Sequence, residues 1–302
     1  MSKVIIAKEP GAIDVIFDRL NLREVLAQKN KILIKVNLRA AAVKNYKPCA
    51  VTNLSVIGDL TKKLADLGKN VVIAEGASSK LITERAIENS GIKRLASSNV
   101  RILNLNTTQT KRIYLPQTNL KYIDVYKPVL EADYIISLPV MKTHVMTLVT
   151  LSMKNMMGVV SELTLPRFHL KGLDRSIFEL NEAIRPDLAI VDATRAMEGF
   201  GPVWGSEVKL GTLIAGFDAA AVDGVCCQMM GFEPKEVKHL GHFENPEIIG
   251  ELVVRKFERP NRHPIDFYYY PWFNWLMSKR IFHKIIYEYA YFILKKLFNL
   301  IS

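Results

Sequence analysis

The sequence has little cysteine and no long apolar run, and each absence excludes a class of protein. Three cysteines in 302 residues are too few for a disulfide-built scaffold, and they cannot supply the four thiolates of an intrinsic iron–sulfur cluster. No run of about 18 apolar residues occurs, so no ordinary membrane-spanning helix is expected. The N-terminus lacks a basic segment followed by an apolar one, so no signal peptide is expected and the default location is the cytoplasm.

What the chain does contain is ordinary for a globular protein, apart from its charge. Hydrophobic residues make up 49% and charged residues 24%, which excludes disorder as the main state. The net charge of +11 indicates an anionic partner. Nucleic acid is not expected in that role, because the basic residues are spread along the chain and no recognition motif is visible.

Short apolar runs alternate with helical patterns along the chain. Two segments, 54–67 and 219–230, repeat apolar residues at helical spacing; Gly68 ends the first and Asp218 caps the second. Such alternation predicts an α/β fold with a mostly parallel sheet and flanking helices. The predicted strands are 4–6, 32–36, 71–74, 102–105, 134–138, 188–191 and 213–215.

Ligands of open α/β sheets bind beyond the carboxyl ends of the strands, and lysines recur at those positions here. Lys35 lies near the end of one predicted strand, Lys142 follows another, and Lys154 lies in a further apolar segment. A lysine in apolar surroundings needs a partner. The sequence leaves two alternatives open: internal pairing with Glu75, Asp192 or Glu198, or an anionic ligand held between the lysines.

Four ordered motifs, spread over roughly residues 30–235, resemble those of domain-of-unknown-function family 362, in the form that lacks a ferredoxin-type cysteine cluster. One departure is Val36, where the family commonly has proline. The resemblance implies an α/β fold with a shared pocket and supplies no agreed reaction. The motif segments are Lys35–Leu38, Leu138–His144 with Met153–Gly158, Pro186–Pro202, and Asp218–Asp223.

The motifs and strand ends together define candidate site residues. His144 is expected to move a proton, with Lys142 and Glu198 beside it as catalytic residues; the alternative for His144 is a hydrogen-bonded structural role. Asp192 and Asp223 are the candidate ligands of a divalent metal, a cofactor that the sequence neither requires nor excludes. The expected ligand-binding residues are Lys35, Asn37, Lys154, Asn155, Gly199 and Gly201. His239, beside Lys235 and Lys238, is expected at a solvated helix end.

Two functions from different classes fit these residues. The first is a cytoplasmic enzyme that acts on an anionic small molecule, with or without a metal. The second is a non-catalytic cofactor-binding or assembly factor, docked on a membrane surface or a protein partner.

The C-terminal end differs in composition from the rest. We expect an α/β domain over 1–258, a linker over 259–266 and an amphipathic tail over 267–302, which holds 13 of the 27 aromatic residues and five basic residues against one acid. Aromatic and basic side chains together favour an interfacial helix on the inner face of an anionic membrane. The alternatives are packing on the protein's own core and a homodimer contact.

Overall fold

A computed structural model describes residues 1–241 and 243–260. The strands are β1 Lys3–Lys8, β2 Lys31–Val36, β3 Asn70–Glu75, β4 Val100–Asn104, β5 Thr110–Leu115, β6 Lys121–Tyr126, β7 Tyr134–Leu138, β8 Val140–His144, β9 Leu148–Thr150, β10 Leu188–Glu198, β11 Ser206–Val208, β12 Thr212–Gly216 and β13 Glu247–Ile249. The α-helices are α1 Ala12–Arg19, α2 Leu22–Val25, α3 Leu54–Asp66, α4 Lys80–Ser90, α5 Lys127–Leu130, α6 Ser152–Asn155, α7 Leu165–Leu170, α8 Leu173–Ala183 and α9 Ala219–Met229.

The main sheet has the strand order β13-β1-β12-β10-β7-β2-β3-β4. The neighbours from β10 to β4 are parallel, whereas β12 runs antiparallel to both β10 and β1. β8 continues beyond β7, pairs in parallel with β10 and turns back into β9. The prediction of an α/β fold with a mostly parallel sheet and flanking helices is confirmed.

Burial explains why these segments form strands and helices. β7 is buried along its whole length, and β2 is buried after its first residue, as expected for strands covered on both faces. α3 buries Val56, Ile57, Leu60 and Leu64 on one stripe, and the Asn53 side chain caps it by accepting a hydrogen bond from Ser55 N. Asp218 caps α9 in the same way, as predicted.

Asp192 and Lys142, which were expected just after the ends of strands, lie within strands in the structure. The strand predicted to end at residue 191 continues through Asp192 to Glu198, because β10 pairs first with β12 and then with β8 and β11. Lys142 lies on β8, where it pairs with Met197. Both residues therefore have fixed backbone positions at the carboxyl edge of the sheet.

No helix in the described part of the chain is both long and apolar enough to cross a bilayer. The predicted tail over 267–302, and most of the predicted linker, lie outside the described residues.

Candidate functional site

The innermost part of the site is a buried ion pair between β2 and β3. Lys35 is 1% exposed, and its Nζ lies 2.6 Å from Glu75 Oε1 and 2.6 Å from the carbonyl oxygen of Val36. Glu75 also accepts hydrogen bonds from the backbone N–H groups of Gly76 and Leu38. For Lys35, the alternative of internal pairing is therefore the one that the structure shows.

Two asparagines connect this ion pair to Lys142. Asn155 donates 2.8 Å to the Lys35 carbonyl and 3.1 Å to Ser137 Oγ, and its Oδ1 lies 3.3 Å from Asn37 Nδ2. Asn37 Oδ1 in turn accepts 2.8 Å from Lys142 Nζ. The structure thus brings four of the predicted site residues into one hydrogen-bonded network, in which each side chain fixes the orientation of the next.

Lys142 is buried and Lys154 is half-buried, and neither forms an ion pair with a carboxylate among the described residues. Lys142 is 3% exposed and donates 2.8 Å to Asn37 Oδ1 and 2.7 Å to the Ala50 carbonyl, which are both neutral acceptors. The contact of Lys154 Nζ is the thioether sulfur of Met157 at 3.7 Å, a weak acceptor. Neither lysine has a carboxylate oxygen within 4.0 Å in the described chain.

Burial alters the ionisation of both lysines. Loss of water contact lowers the pKa of Lys142 to about 7 and that of Lys154 to about 8, because a buried ammonium lacks solvation. Glu75 raises the pKa of Lys142 and Asp174 raises that of Lys154, whereas Arg39 lowers the pKa of both and Lys154 lowers that of Lys142. Neither carboxylate forms an ion pair with these two lysines in the described chain, so an anion bound between them would balance their charge.

His144 faces this basic region, and its tautomer is fixed. Its Nδ1 accepts a hydrogen bond of 3.0 Å from Met146 N, so the ring proton lies on Nε2. Burial first, and then Lys154, Lys142, His169 and Arg39, hold the pKa of His144 well below its usual value. His144 is therefore a neutral hydrogen-bond donor at physiological pH. Neither Asp192 nor Glu198 forms a hydrogen bond with the ring in the described chain, so the Met146 N–H is the group that orients it.

Glu198, Gly199 and Gly201 form a loop that docks on β8. Thr143 Oγ1 donates 2.9 Å to the Gly199 carbonyl, and a Cβ on Gly201 would collide with the Thr143 backbone, so this position requires glycine. Glu198 accepts 2.9 Å from Glu258 N, and Gly199 N donates 3.0 Å to the Glu258 carbonyl. These contacts hold the loop and its C-terminal neighbour in place, and none of them brings the Glu198 carboxylate to the two lysines.

The two predicted metal ligands cap backbone N–H groups instead. Asp192 accepts 2.7 Å from Asn53 N, 2.9 Å from Thr194 N and 2.6 Å from Thr194 Oγ1. Asp223 accepts 2.8 Å from both Ser152 N and Met153 N, at the start of α6. Among the described residues no three His, Cys, Asp or Glu side chains form a group that could hold a metal. In the described chain these two carboxylates thus serve backbone N–H groups, and their assignment as ligands of a divalent metal stays a prediction.

Asp223 nevertheless has a role at the site, because it sets the position of Lys154. Burial raises the pKa of Asp223 to about 7, against the lowering effect of its two backbone donors. By capping α6, it fixes the turn that aims Lys154 and Asn155 at the sheet edge.

One pair of residues near Lys154 was not expected from the sequence. His239, expected to be solvated, is 0% exposed, and its Nδ1 lies 2.8 Å from Asp174 Oδ1 on α8. The residues are 65 positions apart in the chain, and the nearby Lys235 and Lys238 made a solvated segment the natural interpretation. No local signal in the sequence links them.

The opposite edge of the sheet has an open crevice at the amino ends of β2, β3 and β4. Its charged lining residues, Lys31, Arg101 and Glu131, are exposed. Exposed charges of both signs are ordinary surface, so the candidate site is the carboxyl edge.

The fold and site define an α/β protein with a cluster of basic side chains at the carboxyl ends of its parallel strands. The profile of the family described as "Domain of unknown function (DUF362)" matches residues 32–228, and the chain belongs to this family.

A thylakoid-associated protein of Synechocystis sp. is 30% identical over 169 residues, which cover 49% of this chain and 53% of that protein. The chain thus matches about half the length of this curated relative. Among solved structures, the lactate racemase apoprotein from Thermoanaerobacterium thermosaccharolyticum is similar with a TM-score of 0.48 and 12% identity, over 74% of this chain and 56% of that one.

Proposed function

We propose that the protein binds an anionic small molecule at the carboxyl edge of its sheet, between Lys142 and Lys154. The observation that carries the proposal is that Lys142, which is buried, and Lys154, which is half-buried, have hydrogen-bonding partners that are all neutral. A buried cation without a counter-ion is costly. An anion that enters with the ligand would remove that cost and supply charge-assisted hydrogen bonds.

Each basic group has a distinct part in this binding. Lys142 donates two of its three N–H groups to Asn37 and Ala50, which leaves one for the anion. The N–H groups of Lys154 remain for the ligand. Arg39, held by its Nε bond of 2.8 Å to Ser78 Oγ, adds charge at the same edge. His144 offers Nε2–H, which stabilises an oxygen of the ligand as a neutral donor. If a reaction follows binding, His144 is its electrophilic residue.

Phosphate affinity should fall as pH rises from about 7.5 to about 9.5. Inorganic phosphate is mainly dianionic in this range, whereas Lys154, with a pKa of about 8, loses its proton, and Lys142, with a pKa of about 7, loses what remains of its charge. Calorimetric titration of phosphate into the full-length protein measures this change. An affinity that is constant over the range, or no binding at pH 7.5, would contradict the proposal.

A second function, docking on an anionic membrane surface through residues 267–302, is favoured by two observations. The relative from Synechocystis is described as thylakoid-associated, and the segment combines 13 aromatic residues with a basic charge excess. Under this alternative the protein lies on the cytoplasmic face of a membrane as a peripheral protein. Its site then holds a cofactor and catalyses no reaction.

Vesicle sedimentation tests the docking function. Full-length protein is expected to sediment with vesicles of anionic lipid, while a variant truncated before Asp266 stays in the supernatant and keeps its thermal midpoint. Zwitterionic vesicles are the control, because basic residues add about 1 kcal/mol each only at an anionic surface. If the full-length protein ignores anionic vesicles, or if truncation unfolds the domain, the segment belongs to the fold.

A further inference from the structure

The buried pair of Asp174 and His239 has an unused hydrogen-bonding atom. Asp174 Oδ1 lies 2.8 Å from His239 Nδ1, and burial holds the pKa of His239 below its ordinary value. A neutral ring that donates Nδ1–H to a carboxylate leaves a lone pair on Nε2. That Nε2 atom is buried and has no hydrogen-bond partner in residues 1–241 and 243–260.

α8 carries a second unused acceptor on the same face. Asp174 and Asn181 are seven residues apart, which places them on one side of the helix, two turns from each other. The Asn181 amide donates 2.9 Å to the Met153 carbonyl and 2.8 Å to the Ile177 carbonyl. Two carbonyl partners fix its orientation, so Oδ1 is an acceptor, and within the described chain it has no donor.

Both unused acceptors lie around Lys154. Asn181 donates a hydrogen bond to the carbonyl of Met153, the residue directly before Lys154. The Asp174 carboxylate raises the pKa of Lys154, and Lys154 lowers that of His239, so these charges act on one another. α8 thus brings both unused acceptors to the neighbourhood of Lys154, through Asn181 at the Met153 carbonyl and through Asp174 at His239.

We propose that the Asp174–His239 pair, with Asn181, forms an accepting wall of the anion site, and that the ligand is an anion that carries its own O–H or N–H donor. The inference rests on the proposed function, because it names the class of anion that binds beside Lys154. A buried acceptor without a donor costs free energy, and only a group that arrives with the ligand supplies the missing proton. A fully deprotonated oxyanion has no proton to donate, and its oxygens would be repelled by the lone pair of Nε2.

Phosphate and sulfate distinguish such a wall from a site built of cations alone. Both are tetrahedral dianions of similar size at pH 7.5, but hydrogen phosphate keeps an O–H group and sulfate has none. Sites built to hydrogen-bond a substrate proton reject analogues that lack it, because their buried polar atoms then stay unpaired. We expect the full-length protein to bind phosphate at least about ten-fold more tightly than sulfate in calorimetric titrations.

Two variants locate the source of that preference. Asp174→Asn removes the negative charge that favours the proton on Nδ1, so the ring proton is free to move to Nε2, where it turns the acceptor into a donor. His239→Phe removes the acceptor and keeps the ring. In both, the phosphate-to-sulfate ratio is expected to fall to about 1. Asp124→Asn is the matched control, since it removes a carboxylate paired with Arg112 on the β5–β6 hairpin, and its ratio should equal that of the wild type.

The outcomes separate the two proposals. Equal binding of both anions by the wild type, or a preference that persists in a folded His239→Phe protein, would overturn the accepting wall and leave the anion site standing. If neither anion binds the wild type, the anion site fails and the wall fails with it. Thermal melts establish which variants are folded, and the wild-type ratio decides the matter even if both variants unfold.

Discussion

Replacing Lys154 by methionine is expected to lower phosphate affinity about 100-fold and, in phosphate-free buffer, to raise the free energy of unfolding by about 1 kcal/mol. The two effects have one cause. Lys154 has a thioether as its contact, so its charge is unfavourable in the empty protein and becomes favourable only when an anion arrives. Methionine keeps the length and the apolar body of the side chain and removes the charge.

The opposite signs of these two effects distinguish a ligand-binding lysine from a structural one. Calorimetry with phosphate and chemical denaturation at pH 7 measure them on the same preparation. Lys111→Met is the matched control, because Lys111 is exposed on β5, and both quantities should match the wild type. A loss of stability in Lys154→Met would show that the lysine is part of an internal ion pair, and the anion site would lose its main support.

The second large effect is expected at Gly158, which brings the segment after α6 against the end of β3. A Cβ at this position would lie 2.5 Å from the Gly76 carbonyl oxygen and 2.5 Å from Lys35 Cε, and atoms do not approach so closely. Gly158→Ala must therefore push the segment away from the Lys35–Glu75 pair. We expect a loss of about 3 kcal/mol or more of stability, together with loss of phosphate binding.

Gly58→Ala is the matched control for this substitution. Gly58 lies within α3, and an added Cβ there would meet only Leu95 Cδ2, at 3.5 Å, which is ordinary contact. Alanine is the better helix former, so this variant should be as stable as the wild type or up to about 1 kcal/mol more stable. A Gly158→Ala protein with wild-type stability and phosphate affinity would show that this close approach is not needed to form the site.

The sequence was sufficient for the fold because strand and helix patterns are local. Runs such as 32–36 and 134–138 became β2 and β7, and the apolar stripe over 54–67 became α3. The length of β10 was not predictable in this way. Its second half is held by β8 and β11, which are contacts between segments far apart in the chain.

For the site, too, the sequence predicted some features and could not predict those that depend on contacts between distant segments. Sequence placed Lys35, Asn37, Lys142 and Asn155 at one edge, and the structure joins them in one network. Sequence could not tell that Lys35 has a carboxylate partner while Lys142 has none, because pairing depends on which strand end lies opposite. The carboxylate of Asp192 was assigned to a metal on its residue type, whereas its oxygens go to backbone N–H groups.

The measurement that tests the central claim most directly is the ionisation of Lys154 itself. NMR of the full-length protein with ¹³C at the lysine Cε position, assigned by the Lys154→Met variant, follows the titration of this one ammonium group with and without phosphate. The account predicts a pKa of about 8 without phosphate and a higher pKa with it, because a bound anion stabilises the charged form. A Lys154 ammonium group that titrates near its ordinary value, with no change on adding phosphate, would contradict the claim that Lys154 is a half-buried cation to which an anion binds.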